Sequence, residues 1–429
     1  MRMVGITETS VVVPVEETPK HRIWISNLDL NVIRSHVATI YVYKATDDDD
    51  NFLSVEAVKA ALAKALVPFY PLAGRLSADR DGRPEIDCTG EGVQFVVARS
   101  DCSLDEFGDF RPSPEMRQKL VPSAESADPP CILLMLQLTF FKCGGVTLGI
   151  AIHHTAIDGQ SAFHFINHWA DLTKGITELA IAPFFDRTLL RARFPPNADL
   201  FLEDNPKSTP TSAPTSAKST CVSATFKLSD DQVSLLNHRS KQLSPFRAIV
   251  GHVWRSVCIA RGLTPDQVTR VYLIAEVRDR LKPPLPEGYF GNAVCRVTAV
   301  ATSGEVISNP ISFGAQRLKC AIGRVTDEYV RSAIDYIELE KNEGKLNSNS
   351  LWGKTTEADL CANSWLTLPT LGADFGWGKP AFMGRGIMSR DGLVYLLYDI
   401  DGRVSVTISL EEETMESFKK VFYEELNEA

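Results

Sequence analysis

His154 and Asp158 stand four residues apart in His153-His154-Thr155-Ala156-Ile157-Asp158-Gly159, and by type and spacing they are the side chains best suited to moving a proton. Imidazole is the one side chain whose ordinary pKa lets it serve as a base near neutral pH. An acid four residues on, followed by a glycine that lets the chain turn sharply, can curl back to fix the ring or its loop. The bare spacing carries little, because a chain with eight histidines meets H-x-x-x-D by accident about once in every two cases at ordinary residue frequencies. Its setting carries more: Val146-Thr-Leu-Gly-Ile-Ala-Ile152 alternates as a strand, the histidine is doubled, and a helical period begins near Ser161. A strand's carboxyl end is where a side chain can be held rigidly with its tip exposed. Two readings stay open on these residues, a catalytic base and a hydrogen-bonded structural histidine.

The second local feature is Ala373-Asp374-Phe375-Gly376-Trp377-Gly378-Lys379-Pro380, two glycines around an aromatic, closed by proline. It reads as a rigid loop or a packed turn. Asp374, an acid among apolar neighbours, needs a buried partner or solvent.

Both halves of the chain mix strand and helix signals. Ile40–Tyr43, Val93–Val97, Leu133–Leu138, Val394–Tyr398 and Val404–Leu410 are β-rich runs, whereas Ser54–Leu66, Phe163–Leu172 and Glu412–Leu426 carry apolar residues at helical spacing. Strands and helices do not alternate regularly, which disfavours a doubly wound sheet or a (β/α) barrel. The Pro/Ser/Thr/Ala stretch from Lys207 to Lys218 has no apolar period. It is expected to be a linker at 207–218 between an N-terminal domain, 1–206, and a C-terminal domain, 219–429. A long polar surface loop is expected between Glu338 and Glu357, and a solvated loop at Asp47–Asp50.

The 429 residues carry a formal net charge of −9, with 44% hydrophobic and 23% charged residues. That excludes a disordered chain and argues against a nucleic-acid partner, which needs clustered Lys and Arg. No signal-peptide run and no stretch of about 18 uncharged apolar residues is found, so a cytoplasmic protein without membrane contact is expected. The nine cysteines are scattered without a C-x-x-C pair and are expected to be reduced and mostly buried, a cysteine nucleophile being the minor alternative. Small-molecule chemistry is the better prior.

Taken together, His154-Thr-Ala-Ile-Asp158-Gly159 and Asp374-Phe-Gly-Trp-Gly378 resemble the paired signatures of the plant BAHD acyltransferases. Val13–Pro19, Pro68–Leu76, Asp105–Phe110, Phe141–Val146, Gly251–Arg255 and Gly288–Asn292 are similar to its hydroxycinnamoyl-CoA transferase branch. The resemblance implies an α/β fold of two chloramphenicol-acetyltransferase-like domains, with mixed sheets flanked by helices and a solvent channel between them. It implies acyl-CoA as co-substrate, no permanently bound cofactor, no metal and a monomer. His154 would be the general base, acting without an acyl-enzyme. Asp158 and Gly159 would support its loop, Asp374 would pair with an arginine, here Arg278 of Glu276-Val277-Arg278, and Trp377 would help position the intermediate. Ser244 and Arg247 fall in the region expected to hold CoA. Two other classes compete, an inactive binding protein of the same fold and a carrier-protein-dependent condensation enzyme.

The resemblance also implies an aromatic acyl donor, a hydroxycinnamoyl or benzoyl-CoA, and an acceptor pocket containing His36, Val37, Tyr41 and Thr367. Thr367 stands where shikimate and quinate transferases have an arginine that grips the acceptor carboxylate, and Val37 where they have a threonine. An acceptor without a carboxylate is therefore expected, first an aromatic amine such as tryptamine or tyramine, then other small amines or phenols acylated on their hydroxyl, with shikimate or quinate as the alternative.

Overall fold

The computed structural model describes residues 4–45, 54–204, 221–345, 356–399 and 401–427. The expected linker and the Asp47–Asp50 run lie outside the described residues. Of the polar stretch from Glu338, the first residues continue the helix Asp327–Asn342 instead of opening a loop, and 346–355 lie outside the description.

Two six-stranded mixed sheets carry the architecture. The first has the spatial order Val4–Val12, Val93–Ser100, Leu134–Phe141, Val146–His153, His36–Tyr43, Phe382–Arg385. All its neighbours are antiparallel except the second and third strands. The second sheet has the order Cys221–Lys227, Val404–Glu411, Leu393–Tyr398, Leu360–Ser364, Val268–Glu276, Val294–Thr302. A small four-stranded sheet completes the N-terminal half. The strand Phe382–Arg385 belongs by sequence to 219–429 yet pairs with His36–Tyr43, so a boundary at 206 and 219 cuts through the first sheet.

The strand Val146–His153 is buried along its whole length. Val146, Leu148, Ile150 and Ile152 face the large core, while Ala151 faces a second, smaller cluster with Ala38, Ile40 and Val42. Gly149 is required by packing: a Cβ there would lie 1.8 Å from the Leu120 carbonyl oxygen. Behind the strand runs the helix Gly159–Thr173, whose Phe163, Phe165, Ile166 and Trp169 are buried at helical spacing. Trp169 also donates through its indole N–H to the Val58 carbonyl at 3.0 Å, so the ring's burial leaves no polar group unpaired. Among the described residues no helix is long and apolar enough to cross a membrane.

Candidate active site

The two adjacent histidines have opposite fates. His153 is fully buried, Nε2 contacts the Ala127 carbonyl at 3.0 Å, and its ring meets His36 edge-on at 5.1 Å. Burial first, then His36, holds its pKa down to about 4, so it is a neutral structural ring. His154 extends the ladder by one residue, its N–H donating to the Ser35 carbonyl at 3.0 Å, which sets its side chain on the opposite sheet face, with Ile152 and Val37. It is half-buried. Nδ1 is shut in, whereas Nε2 has no protein partner among the described residues and stays open to solvent. Burial lowers the His154 pKa; its own main-chain group pulls back in part, Arg385 lowers it further, and Asp158 and the Ile157 main chain raise it by less. The ring is thus neutral at pH 7, the state a base requires.

The turn that carries His154 is held by two buried side chains, Asn292 and Arg187, which Asp29 ties together. Asn292 Nδ2 donates to the His154 carbonyl at 2.9 Å and to Asp29 Oδ1 at 2.9 Å. Asp29, buried, pairs with Arg187 at 3.1 Å. Arg187, also buried, donates to the Ala156 carbonyl at 2.7 Å and the Phe290 carbonyl at 3.1 Å, approaching over Gly291, where a Cβ would lie 3.0 Å from Nε. Asn292 ends Gly288–Asn292, one of the segments similar to the family, whereas nothing local in the sequence marks Asp29 or Arg187. Asn292→Ala frees the His154 carbonyl, and we expect initial rates with kcat lowered about 10- to 100-fold and acyl-CoA KM changed far less, because the loss is one of orientation.

Asp158 caps the helix Gly159–Thr173 through Ser161 N–H at 3.0 Å and accepts from Ala293 N–H at 3.0 Å. Its third partner corrects an expectation: Arg278 pairs with Asp158, at 2.9 and 3.0 Å, and not with Asp374. The reason is reach. Arg278 follows Val268–Glu276, whose end abuts the start of that helix, and its guanidinium also donates to Ser161 Oγ and to the Tyr289 and Gly291 carbonyls. Asp374 instead accepts from Gly376 and Gly378 N–H at 2.9 and 3.0 Å and lies 3.9 Å from Lys174. Those two glycines have φ of 95° and 81°, the left-handed turn that lets one carboxylate gather both donors. Gly159 is no turn residue. It opens the helix, and a Cβ there would sit 3.2 Å from Leu368 Cδ1.

The remaining predicted residues divide. Tyr41 is buried on the Val37 face with its hydroxyl unpartnered, and Trp377 is buried edge-on to Tyr43 at 5.1 Å. Thr39, between Val37 and Tyr41 on that face, brings a hydroxyl that no motif in the sequence signals. His36 departs from the expected pocket: it alternates to the far face, its Nε2 against the Ile132 carbonyl at 2.7 Å. Thr367 is exposed in the turn after Leu360–Ser364. Ser244 caps the helix Pro245–Ala260, and Arg247 beside it donates to the Leu243 carbonyl at 2.7 Å. Burial pushes the thiols of Cys88 and Cys295 up to about 12 and those of Cys131, Cys258 and Cys361 to about 11, which removes them as thiolate nucleophiles.

Two sheet-rich domains flanked by helices, with an imidazole presented at a strand end, define an acyltransferase of the chloramphenicol-acetyltransferase-like architecture. The crystal structure of vinorine synthase has this fold, with a TM-score of 0.75 over 97% of this chain and 96% of that one at 22% identity. The model of the Transferase family matches residues 2–425, and the chain belongs to that family, the BAHD acyltransferases. It is 46% identical to putrescine hydroxycinnamoyltransferase 1 of Oryza sativa subsp. japonica, covering 99% of each chain. It is 45% identical to shikimate O-hydroxycinnamoyltransferase of Nicotiana tabacum, covering 98% of this chain and 99% of that one.

Proposed function

We propose that the protein is a cytoplasmic, monomeric enzyme that moves a hydroxycinnamoyl or benzoyl group from CoA to the amino group of a small aromatic acceptor, with His154 as general base. The donor class follows the rice and tobacco relatives, both named as hydroxycinnamoyltransferases. The observation that carries the base assignment is Nε2 of His154, open and unbonded on a turn whose carbonyls are held from outside. A proton on the shut-in Nδ1 leaves the Nε2 lone pair facing the opening. The acceptor nitrogen attacks the thioester carbonyl carbon while Nε2 takes its proton. The tetrahedral intermediate collapses, the C–S bond breaks, and the imidazolium returns the proton to the CoA thiolate. No acyl-enzyme forms and no metal takes part.

The tobacco relative's name favours a second reading, O-acylation of shikimate. Against it stand Thr367, which offers no cation, and Val37, which offers no hydroxyl. Incubation with p-coumaroyl-CoA and a panel of amines beside shikimate, read by mass spectrometry, is expected to give amides as the major products. Clear preference for shikimate sinks the amine reading. The absence of both CoA release and acylated product with every acceptor would return the protein to an inactive scaffold.

A further inference from the structure

Arg385 ends the strand Phe382–Arg385 opposite Thr39, and Thr39 lies opposite Ile150 on the strand that leads to His154. Residues paired in this way share a sheet face, so Arg385 stands on the face of Val37, Ile152 and His154, two strand spacings or about 10 Å across from the histidine strand. Its chain runs toward the His154 end, Gly386 N–H donating to the Ala38 carbonyl at 2.9 Å. The guanidinium lies 5.4 Å from the Tyr395 ring, Tyr395 meets Trp365 edge-on at 5.2 Å, and Trp365 meets Phe163 at 5.9 Å. The result is an aromatic wall bearing one cation beside the base. Among the described residues no carboxylate pairs with Arg385, and its Nε is shut in without an acceptor. The Nη nitrogens are not shut in as Nε is, so the end of the guanidinium is free to take a counter-charge. Its charge also reaches His154, whose pKa it helps to depress.

We propose that Arg385 is the anion clamp of the acceptor pocket, and that the acceptor is an aromatic amine carrying a carboxylate, an aminobenzoate. Its ring lies on the Tyr395–Trp365 wall, its carboxylate on Arg385 and its amino group toward Nε2 of His154. This rests on the reading of His154 as the base for an amine acceptor; it replaces the carboxylate-free acceptor that Thr367 alone suggested, and with Arg385 supplying the cation from a different strand it is Val37, not Thr367, that weighs against shikimate. The clamp also disfavours tyramine and tryptamine. Their alkylammonium groups are repelled by Arg385 and must lose a proton before attacking, whereas an arylamine is already neutral at pH 7. The transfer itself is unchanged: N–C forms, C–S breaks, and the amine proton passes through Nε2 to the CoA thiolate.

Two measurements test this. In equilibrium titration followed by ligand fluorescence, 2-aminobenzoate is expected to bind the parent at least about 10-fold more tightly than Arg385→Gln, with Arg385→Lys between them, as the loss of a charge-assisted fork predicts. In turnover with p-coumaroyl-CoA, the parent is expected to prefer one of the three aminobenzoates over aniline by at least about 10-fold in kcat/KM. In Arg385→Gln that ratio falls toward one, with the change in acceptor KM and not in acyl-CoA KM. Equal binding of 2-aminobenzoate by parent and Arg385→Gln overturns the clamp. Aniline acylated as well as the aminobenzoates also overturns it, while the amine-transfer reading stands. Arg385-dependent binding with no acylation of any amine supports the clamp and removes the amine-transfer reading instead.

Discussion

His154→Ala is expected to lower kcat/KM for acyl transfer by about 10²- to 10⁴-fold, the range a positioned general base supplies. The thermal midpoint should stay near the parent value, because the imidazole makes no side-chain hydrogen bond whose loss leaves a buried partner stranded. The neighbouring His153 gives the internal contrast. Its ring is locked between the Ala127 carbonyl and His36, so His153→Ala should act mainly on stability and leave the chemistry to its neighbour. The pH profile distinguishes the two further. A base works when unprotonated, so kcat/KM should rise with pH through the His154 pKa and then level off. Burial and Arg385 place that pKa below the ordinary imidazole value, which puts the plateau across the whole neutral range. Removing the Arg385 charge should move the acid limb to higher pH. A variant without His154 that still released CoA at the parent rate would overturn the assigned base.

How much of this was legible in the sequence follows from how local each signal is. Val146–His153 and Val404–Glu411 could be found because a strand's apolar pattern is carried by its own residues. The expected helix start near Ser161 fell two residues late, since Asp158 is the cap and Gly159 the first helical residue. The ion pair of Asp158 was beyond any local rule, because its partner lies 120 residues away and several acids compete for each arginine. His36 went astray for a different reason. In a strand a one-residue step reverses the face, so a residue adjacent to Val37 in sequence is turned away from it in space. Phe382–Arg385 is only four residues long and has no alternation to read, yet it delivers Arg385, a cation that no carboxylate among the described residues pairs, to the sheet face of the base. Proximity to His36–Tyr43 is created by the crossover, and nothing in Phe-Met-Gly-Arg announces it.

The buried pair between Asp158 and Arg278 joins the helix Gly159–Thr173 of the first half to the end of Val268–Glu276 in the second, so its loss should be felt as instability before it is felt as lost chemistry. Asp158→Ala leaves the buried guanidinium of Arg278 with carbonyls and the half-exposed carboxylate of Glu276 at 3.2 Å, and a destabilisation near the lower end of about 3–5 kcal/mol is expected, read from the urea midpoint. Arg278→Met should cost a similar amount by stranding the carboxylate. The double variant Asp158→Ala, Arg278→Met should lose much less than the sum, because the one carboxylate left without its arginine, Glu276, is partly exposed to water. Additive losses would mean that the two groups do not act as a pair. The acid side supplies an independent check. Burial by itself would raise the Asp158 pKa, but Arg278 and the N–H groups of Ala293 and Ser161 outweigh it and bring the pKa below the usual carboxylate value. A depressed folded pKa contributes stability that is complete above the unfolded value of about 4 and is lost as pH falls through the folded one. The parent should therefore lose this contribution below about pH 4, and Asp158→Ala, which has no such carboxylate, should show a correspondingly shallower fall there.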